Sequence, residues 1–273
     1  MNLKAMIQRL ARQRSVRRIY TALSAAPLVG PIVRRMARSA FPVGTRVWLC
    51  ISSGIGKGIW ANLDPRYEMT YVDGRYESPM QKVLSSHLGR GSVFYDVGAH
   101  IGIVSMLAAR LVGETGSVFA FEADAENVVR IEANLRRNDF TQIKVVPYAA
   151  WSCTTTLRFA RASANSSRNQ GAVVNPGAKE ENGVEVQALS LDDFASENRL
   201  PTLVKIDVEG AEAEVLRGSE KIFASAKPDL ICEVHYPQAL DDVTQWLLKQ
   251  GYHFKWLEDS PALPRHLLAT HKK

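Results

Sequence analysis

From residue 91 onward two kinds of hydrophobic pattern alternate. Short, nearly continuous apolar runs ("SVFYDVG", "GSVFAFEA", "IKVVPYAAW", "TLVKIDVEG" and "PDLICEVH") predict buried strands. Between them the apolar positions recur at helical spacing. Ile103, Val104, Leu107, Ala108 and Leu111 form one stripe, Val128, Ile131 and Leu135 a second, and Val215 with Leu216 mark a third helix. A helix near 239–250 follows, and "YHFKWLE" and "HLLATH" predict two closing strands. Their connection of seven residues is too short for a helical crossover, so they are expected to pair antiparallel. Strand–helix alternation of this kind predicts an α/β fold, a mostly parallel sheet with helices on both faces. Its ligand site opens at the carboxyl ends of the strands.

Two regions depart from this rhythm. In residues 41–72 the runs "RVWLCI" and "IWANLD", separated by "SSGIGKG", predict a hairpin, and "YVDGRYESPMQKVLSSHL" leads from it into the alternating region. Residues 154–187 carry "TTTLRFA", a polar run rich in Ser, Asn and Gly, then "GVEVQAL", which predicts an inserted hairpin with a long tip over a site. The expected organisation is therefore an N-terminal extension over 1–40, a hairpin and helix over 41–90, and a main domain over 91–273.

The extension has its own pattern. Leu3, Met6, Ile7 and Leu10 form one amphipathic stripe and Val16, Ile19, Tyr20 and Leu23 another. At about 100° per residue the second is rotated about 220° from the first, so a break near Ser15 is expected. A helical extension packed on the domain and a basic helix resting on anionic lipid both fit. Residues 1–63 hold 11 Lys or Arg and no acid, whereas the other 210 residues hold 23 bases against 28 acids, a net of −5. A mildly acidic body is a poor nucleic-acid binder. Its 46% hydrophobic and 23% charged residues exclude a disordered or collagen-like chain. Three widely spaced cysteines without a CxxC argue against a disulfide framework or zinc site and fit a reducing compartment. No run approaches the roughly 20 apolar residues that span a bilayer. Arg34, Arg35 and Arg38 follow the apolar run Leu23–Val33 where a signal-peptide cleavage region is neutral. A cytoplasmic protein, with peripheral membrane contact through residues 1–40 as the alternative, is the expectation.

The chemistry-bearing segment is "FYDVGAHIG", Phe94 to Gly102. Asp96 closes a strand, Gly98 sits at the tight turn and Gly102 opens a helix. This is Asp-x-Gly-x-x-x-Gly, not the Gly-x-Gly-x-x-Gly of dinucleotide binders. A pyrophosphate seeks bare backbone N–H groups at a helix start, and an acid there repels it. A cofactor with an ammonium or sulfonium group tolerates that acid. Glu122 closes the next strand, 24 residues after Gly98, where a carboxylate accepts hydrogen bonds from ribose hydroxyls. A lone glycine pair reads equally as a tight turn with a capping acid. Acids at both strand ends, in register with the alternation, favour S-adenosylmethionine.

Taken together, "VFYDVGAHIG", "VFAFEAD", "LDDF", "VKIDVEGAEAEVLRG" and "PDLICEVH", with "YVDGRYE" before them, resemble the FkbM family of S-adenosylmethionine-dependent methyltransferases over about residues 43–236. The resemblance implies a Rossmann-like sheet of seven strands with an antiparallel last strand. It also implies O-methylation of hydroxyls on carbohydrate, glycolipid or secondary-metabolite acceptors. It places Asp96, Gly98, Ala99, His100 and Gly102 in the cofactor loop and Glu122 at the ribose.

Methyl transfer requires the acceptor oxygen to be aligned and its proton removed. Alternation along "KIDVEGAE" predicts Lys205, Asp207 and Glu209 on one side of a strand, with Glu233 and His235 at the matching end of the next. His235 is one candidate base, since imidazole titrates near pH 6.5. Asp207 or Glu209 is another if burial raises its pKa. A divalent cation held by Asp207 and Glu233 is a third route. Lys205 is expected to partner a buried carboxylate, and Glu77 either borders the cofactor or opens a helix. Two other readings compete: a non-catalytic binding module with this fold, and a nicotinamide-dependent oxidoreductase, which Asp96 and the glycine spacing disfavour.

Overall fold

The computed structural model describes residues 41, 44–160, 172–173 and 183–271; the extension over 1–40 and most of the tip near 161–182 lie outside them. The first elements are β1 (Val47–Cys50) and β2 (Trp60–Leu63), an antiparallel pair, followed by α1 (Ser78–His87). The alternating region then runs β3 (Val93–Val97), α2 (Ile103–Val112), β4 (Ser117–Phe121), α3 (Ala125–Asn138) and β5 (Ile143–Val146). After β6 (Ala149–Ala150), β7 (Thr155–Ala160), β8 (Ala172–Val173) and β9 (Gly183–Leu189), it resumes with α4 (Leu191–Ser196) and β10 (Leu203–Ile206). It closes with α5 (Glu212–Arg217), α6 (Glu220–Ser225), β11 (Asp229–Val234), α7 (Pro237–Lys249), β12 (Tyr252–Trp256) and β13 (Arg265–His271).

Seven strands form the main sheet in the order β12-β13-β11-β10-β3-β4-β5. Strands β3, β4, β5, β10 and β11 are parallel, and β13 lies antiparallel between β11 and β12. The closing pair is thus antiparallel, as its short connection requires. Alternate residues feed opposite faces. Phe94, Val118 and Leu203 pack with α1, α2, α3 and the β1–β2 pair, whereas Tyr95, Phe119 and Val204 pack with α4 through α7. Asparagines of α3 satisfy the backbone of β2. Trp60 N–H donates to Asn138 Oδ1 and Asn62 N–H to Asn134 Oδ1, each at 2.8 Å. Unpaired strand groups are thereby tied to the main domain. None of the helices among the described residues is long and apolar enough to cross a membrane.

Two expected strands are cut short. "IKVVPYAAW" is two strands in two sheets, because Pro147 lacks the N–H that a ladder needs. Strand β5 edges the main sheet, and β6 pairs with β9 in a second sheet ordered β6-β9-β7-β8. The run "TLVKIDVEG" leaves the ladder after Ile206, so the predicted alternation of Lys205, Asp207 and Glu209 does not extend to Glu209. That residue adopts φ +54°, a left-handed turn ahead of α5.

Candidate active site

Strand β3 lies between β4 and β10, where the order of chain connections reverses; in open α/β sheets this is where a crevice forms. The loop leaving β3 is held to both neighbours. Gly98 N–H and Ala99 N–H donate to Phe121 O at 3.1 and 2.9 Å, and Asp207 N–H donates to Val97 O at 3.1 Å. Gly98 has φ +80°, and a Cβ placed on it would lie 1.8 Å from Asp207 O. Only glycine permits this approach. His100 follows with φ +53°, and Gly102, at φ +79°, precedes α2.

Glu122, just past β4, fixes that turn. Its Oε2 accepts the His100 N–H and its Oε1 the Asp124 N–H, both at 2.8 Å. Burial pushes its carboxyl up to about 7 despite these two donors. Burial also holds the His100 imidazole below its usual value, hence neutral, and its Nε2 has no hydrogen-bond partner. His100 and Glu122 line a cleft that is open to solvent. Val97, Phe121 and Val208 give it apolar walls. Tyr148 and Phe159 approach from the β5–β6 and β7 side, and Asp207 and Glu209 stand at the β10 end. The inserted hairpin therefore does border the cleft, through Phe159.

Asp96 is not at the cleft surface. Its fully buried carboxylate accepts from Ser105 Oγ at 2.5 Å and pairs with Lys205 Nζ at 3.4 Å. It is the penultimate residue of β3 and points into the protein, so the expectation of an acid facing the cofactor is corrected for Asp96. Lys205 also reaches Asp207 at 3.2 Å and donates to Gly98 O at 3.3 Å. Burial opposes its charge, but Asp207 and Asp96 outweigh burial and hold it protonated. Burial alone would raise the Asp207 carboxyl; Lys205 and His235 outweigh that and keep it below its ordinary value.

His235 sits among carboxylates. Its Nδ1 is 2.7 Å from Glu212, and its Nε2 is 3.4 Å from Glu209 and 3.7 Å from Asp207 and Glu233. Burial disfavours the imidazolium, yet Glu209 and Glu212 prevail and push its pKa up to about 11. A shift in this direction favours the imidazolium and suits His235 to holding these carboxylates rather than to accepting a proton. Glu233 is raised to about 8, by burial first and then by the charge of Asp207. Glu77 precedes α1 without capping it; its carboxylate turns to His266 Nε2, 3.6 Å away.

A model of the methyltransferase FkbM domain matches residues 96–254, more than half of the chain. The protein belongs to the FkbM methyltransferase family. Hexuronic acid methyltransferase AglP of Haloferax volcanii is 27% identical over 179 residues, covering 64% of this chain and 69% of AglP. The crystal structure of methyltransferase FkbM from Methylobacillus flagellatus KT overlays with a TM-score of 0.50 at 21% identity. It covers 66% of this chain, and this chain spans 44% of that one, so the likeness bears on fold alone.

The FkbM match begins at Asp96 and so leaves out Glu77; it ends at Phe254 and leaves out His266. The motif reading also passed over Tyr148, Phe159 and Asn127, which line the cleft. The polar-tipped hairpin was the one signal pointing toward Phe159. Nothing in the local sequence marks His266, which is brought opposite Glu233 by the antiparallel β11–β13 register.

Proposed function

We propose that this protein is an S-adenosylmethionine-dependent O-methyltransferase acting on a hydroxyl of a carbohydrate, glycolipid or related secondary-metabolite acceptor. The observation that carries this reading is the cleft at the β3, β4 and β10 tips, where Glu122 stands at one end and Asp207 and Glu209 at the other. His100 Nε2 is a buried polar atom with no hydrogen-bond partner, of the kind a ligand satisfies. S-Adenosylmethionine, when bound, supplies a methyl group already activated by a sulfonium centre. Gly98, Ala99, His100 and Gly102 shape the turn against which it would rest, and Glu122 offers its remaining lone pairs to ribose hydroxyls. Asp96 acts from behind, through Lys205 and Ser105.

The acceptor hydroxyl needs orientation and a destination for its proton. Asp207 and Glu209 present carboxylate oxygens at the cleft, and we assign them the acceptor-facing role. His235 lies behind both and, as a cation, holds them in place; its role is positioning. A carbohydrate acceptor is favoured by the name of AglP, a hexuronic acid methyltransferase.

Two measurements test this. Calorimetry with S-adenosylhomocysteine is expected to show binding, weakened by Glu122→Ala. Labelled-methyl transfer to polysaccharide and lipid-linked sugar extracts is expected to fall at least about 100-fold in Asp207→Asn or Glu209→Gln, the typical contribution of a positioned acid or base. Cofactor binding should change little in both. Absence of S-adenosylhomocysteine binding, or wild-type turnover in both carboxylate variants, rejects the proposal.

A further inference from the structure

The charge cluster continues beyond His235 through Glu233, and its far side has the form of a cation site. Glu77, Glu233 and His266 each offer one ligand atom, and the three atoms lie within 4.8 Å of one another. They come from the start of α1, the end of β11 and the start of β13. His266 Nε2 is 3.6 Å from Glu77 Oε2 and 3.9 Å from Glu233 Oε2. Both spans are too long for a hydrogen bond. Two ligands at about 2.1 Å from one tetrahedral cation stand about 3.4 Å apart, close to both His266 spans.

The orientation of His266 distinguishes this group from an ordinary acidic cluster. The side chain is 7% exposed, and its Nε2 has no hydrogen-bond partner although it is aimed between the two carboxylates. Its other nitrogen is clamped. Glu258 lies with Oε1 2.8 Å from Nδ1, while its Oε2 accepts the His266 backbone N–H at 2.8 Å. A carboxylate on Nδ1 fixes the tautomer that leaves the Nε2 lone pair free, the arrangement found behind metal-ligating histidines. His235 differs, because its Nε2 lies 3.4 Å from Glu209 and its Nδ1 2.7 Å from Glu212, so neither nitrogen is left over.

We propose that Glu77, Glu233 and His266 bind a divalent transition cation such as Mn²⁺ or Zn²⁺, with Glu258 positioning the histidine. An imidazole among carboxylates favours these ions over Mg²⁺ or Ca²⁺, which prefer all-oxygen shells. Three protein ligands leave a position open for an oxygen. Glu233 Oε2 also lies 3.7 Å from His235 Nε2, so the site shares this carboxylate with the charge cluster behind the cleft. The binding of the ion does not depend on the methyltransferase reading.

The test uses the full chain after chelator treatment. Mn²⁺ alone is titrated with its free-ion paramagnetic signal as readout, and Zn²⁺ by calorimetry. Saturable binding of one ion at micromolar concentration is expected. Glu77→Gln and His266→Ala should each abolish it or weaken it at least about tenfold, and Glu258→Gln should weaken it about 10–100-fold. Thermal melts identify any variant that fails to fold, and Glu77→Gln and Glu258→Gln keep side-chain shape. No saturable binding to the wild-type protein up to millimolar metal, or wild-type affinity in the folded variants, overturns the proposal. S-Adenosylhomocysteine binding, measured without metal on the same samples, reports separately on the methyltransferase reading.

Discussion

Lys205 ties the tips of β3 and β10 together, and its replacement by methionine is the most informative test of the site's electrostatics. The ammonium is 3% exposed, 3.4 Å from Asp96 and 3.2 Å from Asp207, and also donates to Gly98 O. Methionine fills a similar volume but leaves two carboxylates facing each other across a space with no cation. Breaking a buried ion pair from one side costs about 3–5 kcal/mol. For a chain of this size each kcal/mol shifts the melting temperature by about 2–4 °C, so a fall of roughly 6–20 °C is expected. The cause is separable from lost packing. Asp96→Asn in the Lys205→Met background removes one of the two stranded charges and should recover part of the loss. A double-mutant cycle by calorimetry or urea unfolding should then give a coupling of about 1–3 kcal/mol. Strict additivity, or a Lys205→Met protein melting within about 2 °C of wild type, would refute the view that this ion pair organises the strand tips.

Glu122 is predicted to set a pH dependence. Its folded-state pKa, about 7, is above the ordinary 4.5. The folded state therefore holds the proton more tightly, and stability falls as pH rises from about 4.5 to about 7, then levels. The span corresponds to about 3 kcal/mol. Urea midpoints at pH 5 and pH 8 should show this fall in wild type, and a shallower one in Glu122→Gln. The carboxylate is the form that accepts ribose hydroxyls, so S-adenosylhomocysteine affinity should decline below about pH 7; a flat profile from pH 6 to 8 excludes that role. Gly98→Ala places a Cβ 1.8 Å from Asp207 O at φ +80°. Left-handed strain alone is worth about 1–3 kcal/mol, and the loops must also separate. Calorimetry should show S-adenosylhomocysteine binding reduced at least about tenfold, and unchanged binding would mean that the β3–β10 loop contact does not shape the cleft.

The electrostatic organisation explains why similar side chains take different roles. Three acids near the strand tips occupy three environments. Asp96 is sealed in with Lys205 and Ser105, Glu122 is buried against backbone donors, and Asp207 faces the cleft between Lys205 and His235. On the proposed function, Asp207 is the one of the three that meets the acceptor and Glu122 the one that meets the nucleoside. Lys205 links the first and third, which lets a buried charge influence a cleft carboxylate without touching a ligand.

The alternating apolar runs and helical stripes by themselves determined the sheet, its helices and the antiparallel closing pair, because burial on two faces imposes a local period that a chain displays residue by residue. The glycine and acid spacing likewise marked the β3 and β4 turns, since a left-handed turn and a strand-end carboxylate are local requirements. Tertiary structure alone decided which way the side chains face and what charges they meet. Asp96 and Glu122 both follow an apolar run, yet one is sealed under Ser105 and the other lines the cleft. His235 reads as an ordinary histidine until Glu209 and Glu212 surround it. Glu77 and His266, almost two hundred residues apart, meet only because the start of α1 lies over the β11–β13 register. Coulombic and desolvation effects depend on distance in space, and no local period encodes that distance.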